Sequence, residues 1–330
     1  MPEAEICNRI HDGLRTTASG QRFTMTRLIF IRLLQLPLIL LVIFLITFAL
    51  AWILPGDPLD RPDGQQPPIE VKLAMLKQYS LDSPWSFLGT YVTNLAKGDL
   101  GPSLTFRDQR VNDIIASGLP VSAVLGVSAL FIALHLGLFA GIVGALRPGS
   151  GWDFSSLLVA LVGISLPTFV TGAVLLVLFT GLMKFLPPGG WGTPSHLLLP
   201  ALALALAPAA YIARLVRLGL ADVMSSDFIR TARAKGLSVK RALFDHAMKV
   251  AFLPVLSFLG PAAAATMTGS FVIEKVFAIP GLGEHFVNAV LNKDQFLILG
   301  LVLVYSTMLV LFNLVVDVAY AWVDPRIDLS

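Results

Sequence analysis

The chain has 330 residues, 55% of them hydrophobic and 14% charged, with a mean hydropathy of +0.77. A soluble domain carries about 25% charged residues, so the composition excludes an ordinary water-soluble globule and reads as a polytopic membrane protein. The single cysteine, Cys7, rules out an internal disulfide and any multi-cysteine metal site. A net charge of +3 does not call for nucleic acid, because cations gathered in cytoplasmic loops account for it.

Residues 1–24 are polar and mixed in charge. They read either as a cytoplasmic tail or as an extension upstream of a natural start at Met25. The stretch Leu33–Leu54 is longer than the about 7–15 apolar residues of a signal peptide, so it is a retained span. A crossing needs about 20 apolar residues. Six spans are predicted, near 29–54, 119–146, 156–186, 197–218, 251–272 and 297–322. The expected fold class is therefore all-α, a polytopic helix bundle of six transmembrane spans, with residues 25–330 forming one transmembrane domain.

Between the first two spans lies the only long polar segment, 55–118. Val71, Met75 and Tyr79 recur in it at helical spacing, as do Trp85, Leu88, Val92 and Leu95. The first reading is short amphipathic helices on the outer leaflet; the second is a docking surface for an extracytoplasmic partner. In the second span Ala129, Ala133, Gly137, Gly141 and Ala145 fall at every fourth position. They predict a ridge of small residues along which another helix packs closely. The fifth span carries a similar run, Ala262 to Ala265 and Gly269.

Lysine and arginine counts in the short connections set the orientation. Arg9, Arg15, Arg22 and Arg27 precede the first span. Arg230, Arg233, Lys235, Lys240, Arg241 and Lys249 fill the loop at 219–250, flanked by Arg214 and Arg217. The connection at 187–196 has no such residue, and that at 273–296 has two, Lys275 and Lys293. The N-terminus, the 219–250 loop and the C-terminus are thus expected in the cytoplasm, and 55–118 outside.

Ionisable groups within spans are few. His135 reads as a hydrogen-bonded bundle residue, and Asp317, near Asn313, as an interfacial one. An ion-coupled carrier, the alternative from another class, usually chains acids and bases through its spans. There is no G-x-x-x-x-G-K-[ST] loop and no H-E-x-x-H pair. The glycine-rich Ile279–His285 lacks the lysine of a phosphate cradle, and a proline–glycine turn suffices to explain it. The chain reads as a transport bundle with no catalytic, cofactor or metal residues. Any energy source must then be another protein on the cytoplasmic side.

The loop at 219–250 is more regular than a topogenic run of charge requires. Ser226 or Asp227 can cap a first helix whose apolar edge is Phe228, Ile229 and Ala232. Arg233 and Lys235 sit in its last turn, where cations favour the helix dipole. Gly236 follows as the residue that ends it. Ser238 can cap a second helix carrying Val239, Leu243, Ala247 and Val250 on one face, with Pro254 just beyond. A DNA-reading helix-turn-helix is rare in such a bundle; a docking element for a cytoplasmic motor fits the missing energy source.

These residues carry a resemblance. Asp227–Leu237, "DFIRTARAKGL", with the following Leu253-Pro-Val, resembles the coupling loop of binding-protein-dependent ABC importer permeases. The likeness extends through "GDLGPS" (Gly98–Ser103), "GSFVIEKVFAIPGLGEHFVNAVLN" (Gly269–Asn292) and "VDVAYAWVDPRI" (Val316–Ile327), and runs from about Met25 onward. Within the family it is most similar to the B permease subunit of bacterial oligopeptide importers. Dipeptide, glutathione or nickel permeases share the fold. The family loop begins Glu-Ala-Ala, whereas Arg230-Thr231-Ala232 stands here, which removes any role for that glutamate. The resemblance implies a second homologous permease, two ATPase subunits, an extracytoplasmic peptide-binding protein and a peptide substrate, within membrane lipid and without nucleic acid. It implies that Asp227, Phe228, Ile229, Arg230, Thr231, Ala232, Arg233, Ala234, Lys235, Gly236 and Leu237 dock the ATPase.

Overall fold

The computed structural model describes residues 29–59, 68–106 and 108–323. The expectations on residues 1–24 and on the end of Val316–Ile327 lie outside these residues. Helix α1 (Ile29–Ile53) is followed by α2 (Ile69–Gln78), α3 (Pro84–Leu95) and α4 (Val111–Leu146). Then come α5 (Gly151–Ser165), α6 (Thr168–Leu176) and α7 (Pro194–Met224). Two short helices, α8 (Asp227–Ala234) and α9 (Val239–Arg241), precede α10 (Met248–Ala251), α11 (Leu253–Val276), α12 (Leu282–Leu291) and α13 (Gln295–Val323).

Among the described residues, α1, α4, α7, α11 and α13 are each long and apolar enough to cross a membrane. The span expected at 156–186 is not straight. Its halves, Asp153–Ser165 and Thr168–Leu182, meet at 109°. Pro167 is the cause: a proline pushes the residue before it out of the helical region, and Leu166 is extended, with φ −87° and ψ 129°. The second span also differs from expectation. It has 36 residues, about 54 Å at 1.5 Å per residue, and so outruns a ~30 Å hydrocarbon core. Residues 111–118, read from sequence as part of the polar segment, are its first two turns; Asn112, Asp113 and Ser117 hid them.

The predicted ridge is where α4 meets α7. Ala129 and Ala133 are fully buried, Gly137 and Gly141 are buried, and Ala145 is half-buried. A Cβ on Gly137 would lie 2.7 Å from both the Ala209 carbonyl oxygen and Ile212 Cβ, and one on Gly141 2.6 Å from Val216 Cβ. Only glycine lets the two backbones approach this closely. Ala262 and Ala263 of the α11 run are buried as well.

Apolar side chains gather at both ends of the bundle. At one end, the far end, Phe87, Tyr91 and Phe296 pack with Phe44 of α1 and Val111 and Ile114 of α4. Phe87 and Phe296 meet edge to face, ring centroids 4.8 Å apart. At the other, basic end, Val216 and Leu220 of α7 pack with Ile229, Ala242, Leu243, Ala247 and Ala251. Arg32 and Asp317 pair at 2.9 Å, joining the start of α1 to the last turns of α13.

Candidate functional site: the basic loop

Helix α8 ends as the sequence predicts. The Gly236 amide donates to the Arg233 carbonyl at 3.0 Å, and that of Leu237 to Ala232 at 3.3 Å. These are the two bonds of a Schellman motif. It demands a left-handed residue, and Gly236 has φ +91°. Ser238 then caps α9, its hydroxyl accepting from the Arg241 amide at 3.3 Å. The start of α8 differs. Ser226 holds the N-cap position with extended backbone but makes no side-chain cap; its hydroxyl donates back to the Val223 carbonyl at 2.5 Å. Asp227 supplies negative charge to the first turn instead, and pairs with Arg230 at 3.3 Å.

The expected stripe Val239, Leu243, Ala247 and Val250 is only half right. Between α9 and α10 the chain makes a π-helical turn, Ala242–Ala247, which inserts an extra residue into the helical period. Ala242, Leu243, Ala247 and Ala251 are therefore buried, while Val239 and Val250 are exposed. Along the predicted docking segment, Ile229 and Ala232 are buried and Leu237 is half-buried. Asp227, Phe228, Arg230, Thr231, Arg233, Ala234, Lys235 and Gly236 are exposed. Phe228 thus does not belong to the buried edge. Between α8 and α9 lies an open notch of about 500 Å³ lined by Arg230, Arg233, Gly236, Leu237, Ser238 and Val239.

A bidentate ion pair sits beside this loop. Arg217 Nε and Nη2 donate to the Asp153 carboxylate at 2.5 and 2.9 Å, and the Gly149 amide donates to it at 2.9 Å. The pair fastens α5 to α7 about two turns before α7 ends. From sequence Arg217 reads as no more than a flanking cation; the signal for its partner is Asp153, a lone acid entering an apolar run.

At the far end two buried carboxylates hold the chain. Asp294 is fully buried and accepts from Ser103 Oγ (2.5 Å) and the amides of Leu104 (2.8 Å), Thr105 (3.0 Å) and Leu297 (3.1 Å). Burial pushes its carboxyl above the usual range, against the lowering effect of those hydrogen bonds. Glu274 Oε2 accepts from the Gly283 amide at 2.7 Å, while Ser122 Oγ accepts from that of Leu282 at 2.9 Å. The Ile279–His285 turn is therefore more than a proline–glycine turn. A Cβ on Gly283 would lie 2.5 Å from Phe271 Cα. Neither carboxylate was singled out from sequence, although Glu274 falls within one of the quoted motifs.

The polar segment is part of this end and does not merely rest on a leaflet. Helix α3 buries Phe87 and Tyr91, whereas Trp85 and Val92 of the expected apolar face are exposed. Met75 of α2 and Tyr79, the residue that ends it, are half-buried against the same cluster, and Val71 is exposed. His135 is hydrogen-bonded as expected, Nδ1 lying 2.8 Å from the Phe131 carbonyl oxygen, but it faces out from this chain. Among the described residues, no group of three or more His, Cys, Asp or Glu side chains is placed to hold a metal ion.

The bundle, with one broken span and a folded helix–glycine–helix between two others, aligns with a chain of the inward-facing MetNI methionine ABC transporter at a TM-score of 0.53 and 17% identity, over 64% of this chain and 96% of that one, and shares its fold. Residues 133–329 match the binding-protein-dependent transport system inner membrane component model. The chain belongs to that family, whose members are multi-pass inner-membrane proteins. It is 42% identical to the oligopeptide transport system permease protein OppB of Haemophilus influenzae, over 92% of this chain and 99% of the relative. Its identity to the Escherichia coli K12 protein of the same name is 41%, over 87% and 94%. The dipeptide transport system permease protein DppB of Bacillus subtilis is 40% identical, over 88% and 94%.

Proposed function

We propose that the chain is a permease subunit of an ATP-driven importer that passes oligopeptides across the bacterial cytoplasmic membrane. The observation that carries this is the 42% identity to an oligopeptide permease along 92% of the chain. The chain itself hydrolyses nothing. Its partners are a second homologous permease, two ATPase subunits and an extracytoplasmic peptide-binding protein. The basic end and both termini lie in the cytoplasm, and the far end, with α2, α3 and α12, faces outward.

Asp227–Leu237 is the ATPase-docking element in this reading. Ile229 anchors it to α7 and to the π-helical turn, Ala232 is buried beside it, and the exposed side chains are left to meet a partner. Closure of the ATPase pair would push on α8, and the rigid Schellman turn would pass the displacement to α7 and α11. Gly236→Val tests the docking. No atom lies within 4 Å of a Cβ built there, so the cost is the left-handed φ alone, roughly 1–2 kcal/mol. Near-normal amounts of membrane-inserted chain are expected, with ATPase subunits lost on purification or no longer stimulated by peptide. Full peptide uptake at wild-type expression would refute the docking role.

A dipeptide permease is the second reading, favoured by the 40% identity to the Bacillus subtilis protein. Competition for uptake between di- and pentapeptides in the reconstituted importer separates the two.

A further inference from the structure

We propose that the notch between α8 and α9 is a socket for an acidic side chain of the ATPase subunit, gripped between Arg230 and Arg233. The proposal rests on the docking role given above to Asp227–Leu237. Arg230 and Arg233 stand three residues apart and both line the notch. At that spacing they are neighbours on one helix face, where like charges repel. The free chain does little to relieve this. Among the described residues Arg230 has only the Asp227 pair, at 3.3 Å with side chains 73% and 96% exposed, and such solvated pairs contribute little. Arg233 has no carboxylate partner among the described residues.

The shape of the notch suits a carboxylate. Gly236 lines it and has no neighbouring atom where a Cβ would stand, so an incoming side chain meets open space there. Half-buried Leu237 and exposed Val239 give the lining an apolar wall. Once a partner covers this wall, water leaves and charge-assisted bonds to the guanidinium groups strengthen. Guanidinium is the group that matches a planar carboxylate bidentately. An anionic lipid headgroup would instead be drawn to any cation near the surface, and Lys235, Lys240 and Lys249 are exposed and closer to that description. The walls of the notch carry no lysine.

The test uses the full importer, with its ATPase subunits, in nanodiscs. Arg230→Gln/Arg233→Gln should weaken ATPase retention by about tenfold or more, the loss found when one side of a covered charge pair is removed. Retention of the wild type should fall with added salt, and that of the double variant should fall far less. Lys240→Ala should retain the ATPase as the wild type does. In the Arg233→Lys variant, carbodiimide should join the new amine to an aspartate or glutamate of the ATPase, identified by mass spectrometry. Wild-type retention by the double variant overturns the proposal. So does an assembled Arg233→Lys complex that yields no cross-link to an ATPase carboxylate. If Gly236→Val loses the ATPase while the double variant keeps it, the docking role stands and the socket falls; if both keep it, both fall. A double variant that keeps the ATPase but loses dependence on anionic lipid assigns the arginines to headgroups instead.

Discussion

The two ends of the bundle are built on opposite plans. At the far end the chain satisfies itself: Phe87, Tyr91 and Phe296 fill a core, and the Asp294 carboxylate collects four donors from segments about 190 residues apart in sequence. At the basic end the loop buries only small or medium apolar groups, Ile229, Ala232, Ala242, Leu243 and Ala247, and leaves its cations in water. Two glycines make the contrast sharp. Gly101 and Gly236 share a φ of +91°. A Cβ on Gly101 would lie 2.4 Å from Phe296 Cδ1, whereas one on Gly236 meets nothing within 4 Å. The same backbone conformation serves a closed core in one place and an open surface in the other. A region that closes on itself satisfies its own polar groups; one that ends in exposed arginines beside a notch leaves its charges to the solvent.

The largest break in this contrast should come from Asp294→Ala. It leaves Leu104, Thr105 and Leu297 amides and the Ser103 hydroxyl without an acceptor in a dry site, at about 3 kcal/mol or more. The importer's thermal midpoint in detergent should fall sharply, and proteolysis should open the Gly98–Arg110 segment. An unchanged midpoint would mean the far end is not self-satisfied.

Next come the paired glycines. Gly101→Ala incurs both left-handed strain and a clash with the Phe296 ring, so it should destabilise by more than the roughly 1–2 kcal/mol of strain alone. Gly236→Ala should cost no more than that strain and leave the melting of the isolated chain nearly intact. Equal effects at the two sites would erase the distinction between the ends.

The smallest effect is one of pH. His285 on α12 lies edge to face with Phe106, centroids 5.0 Å apart. Burial holds its pKa below 6.5, and the neighbouring Glu284 opposes this only in part. The folded chain binds this proton less readily than the unfolded one. Its contribution is therefore present above about 6.5 and is lost as pH falls through that value toward the folded pKa. His285→Phe should flatten this slope in a pH series of thermal midpoints. Asp294 has the opposite sign: its raised pKa favours folding at low pH, a benefit that fades as pH rises from 3.8 through the folded value.

Sequence alone determined whatever depends on neighbours along the chain. Span length and hydropathy specified a helical membrane bundle, four-residue periodicity specified the Ala129–Ala145 ridge, and the Gly236–Ser238 pair specified the loop's hinge, because a Schellman turn and an N-cap are completed within a few residues. The polar segment was harder: Trp85 and Val92 have helical spacing, yet α3 turns Phe87 and Tyr91 inward because α1 and α13 offer them aromatic partners. The bend at Pro167, the π-helical turn at Ala242–Ala247, the Asp153–Arg217 pair and the Asp294 and Glu274 clamps were decided by tertiary structure. A proline allows a bend, but only packing sets its angle. A buried carboxylate is tolerable only where distant amides converge on it, and no local pattern announces that convergence.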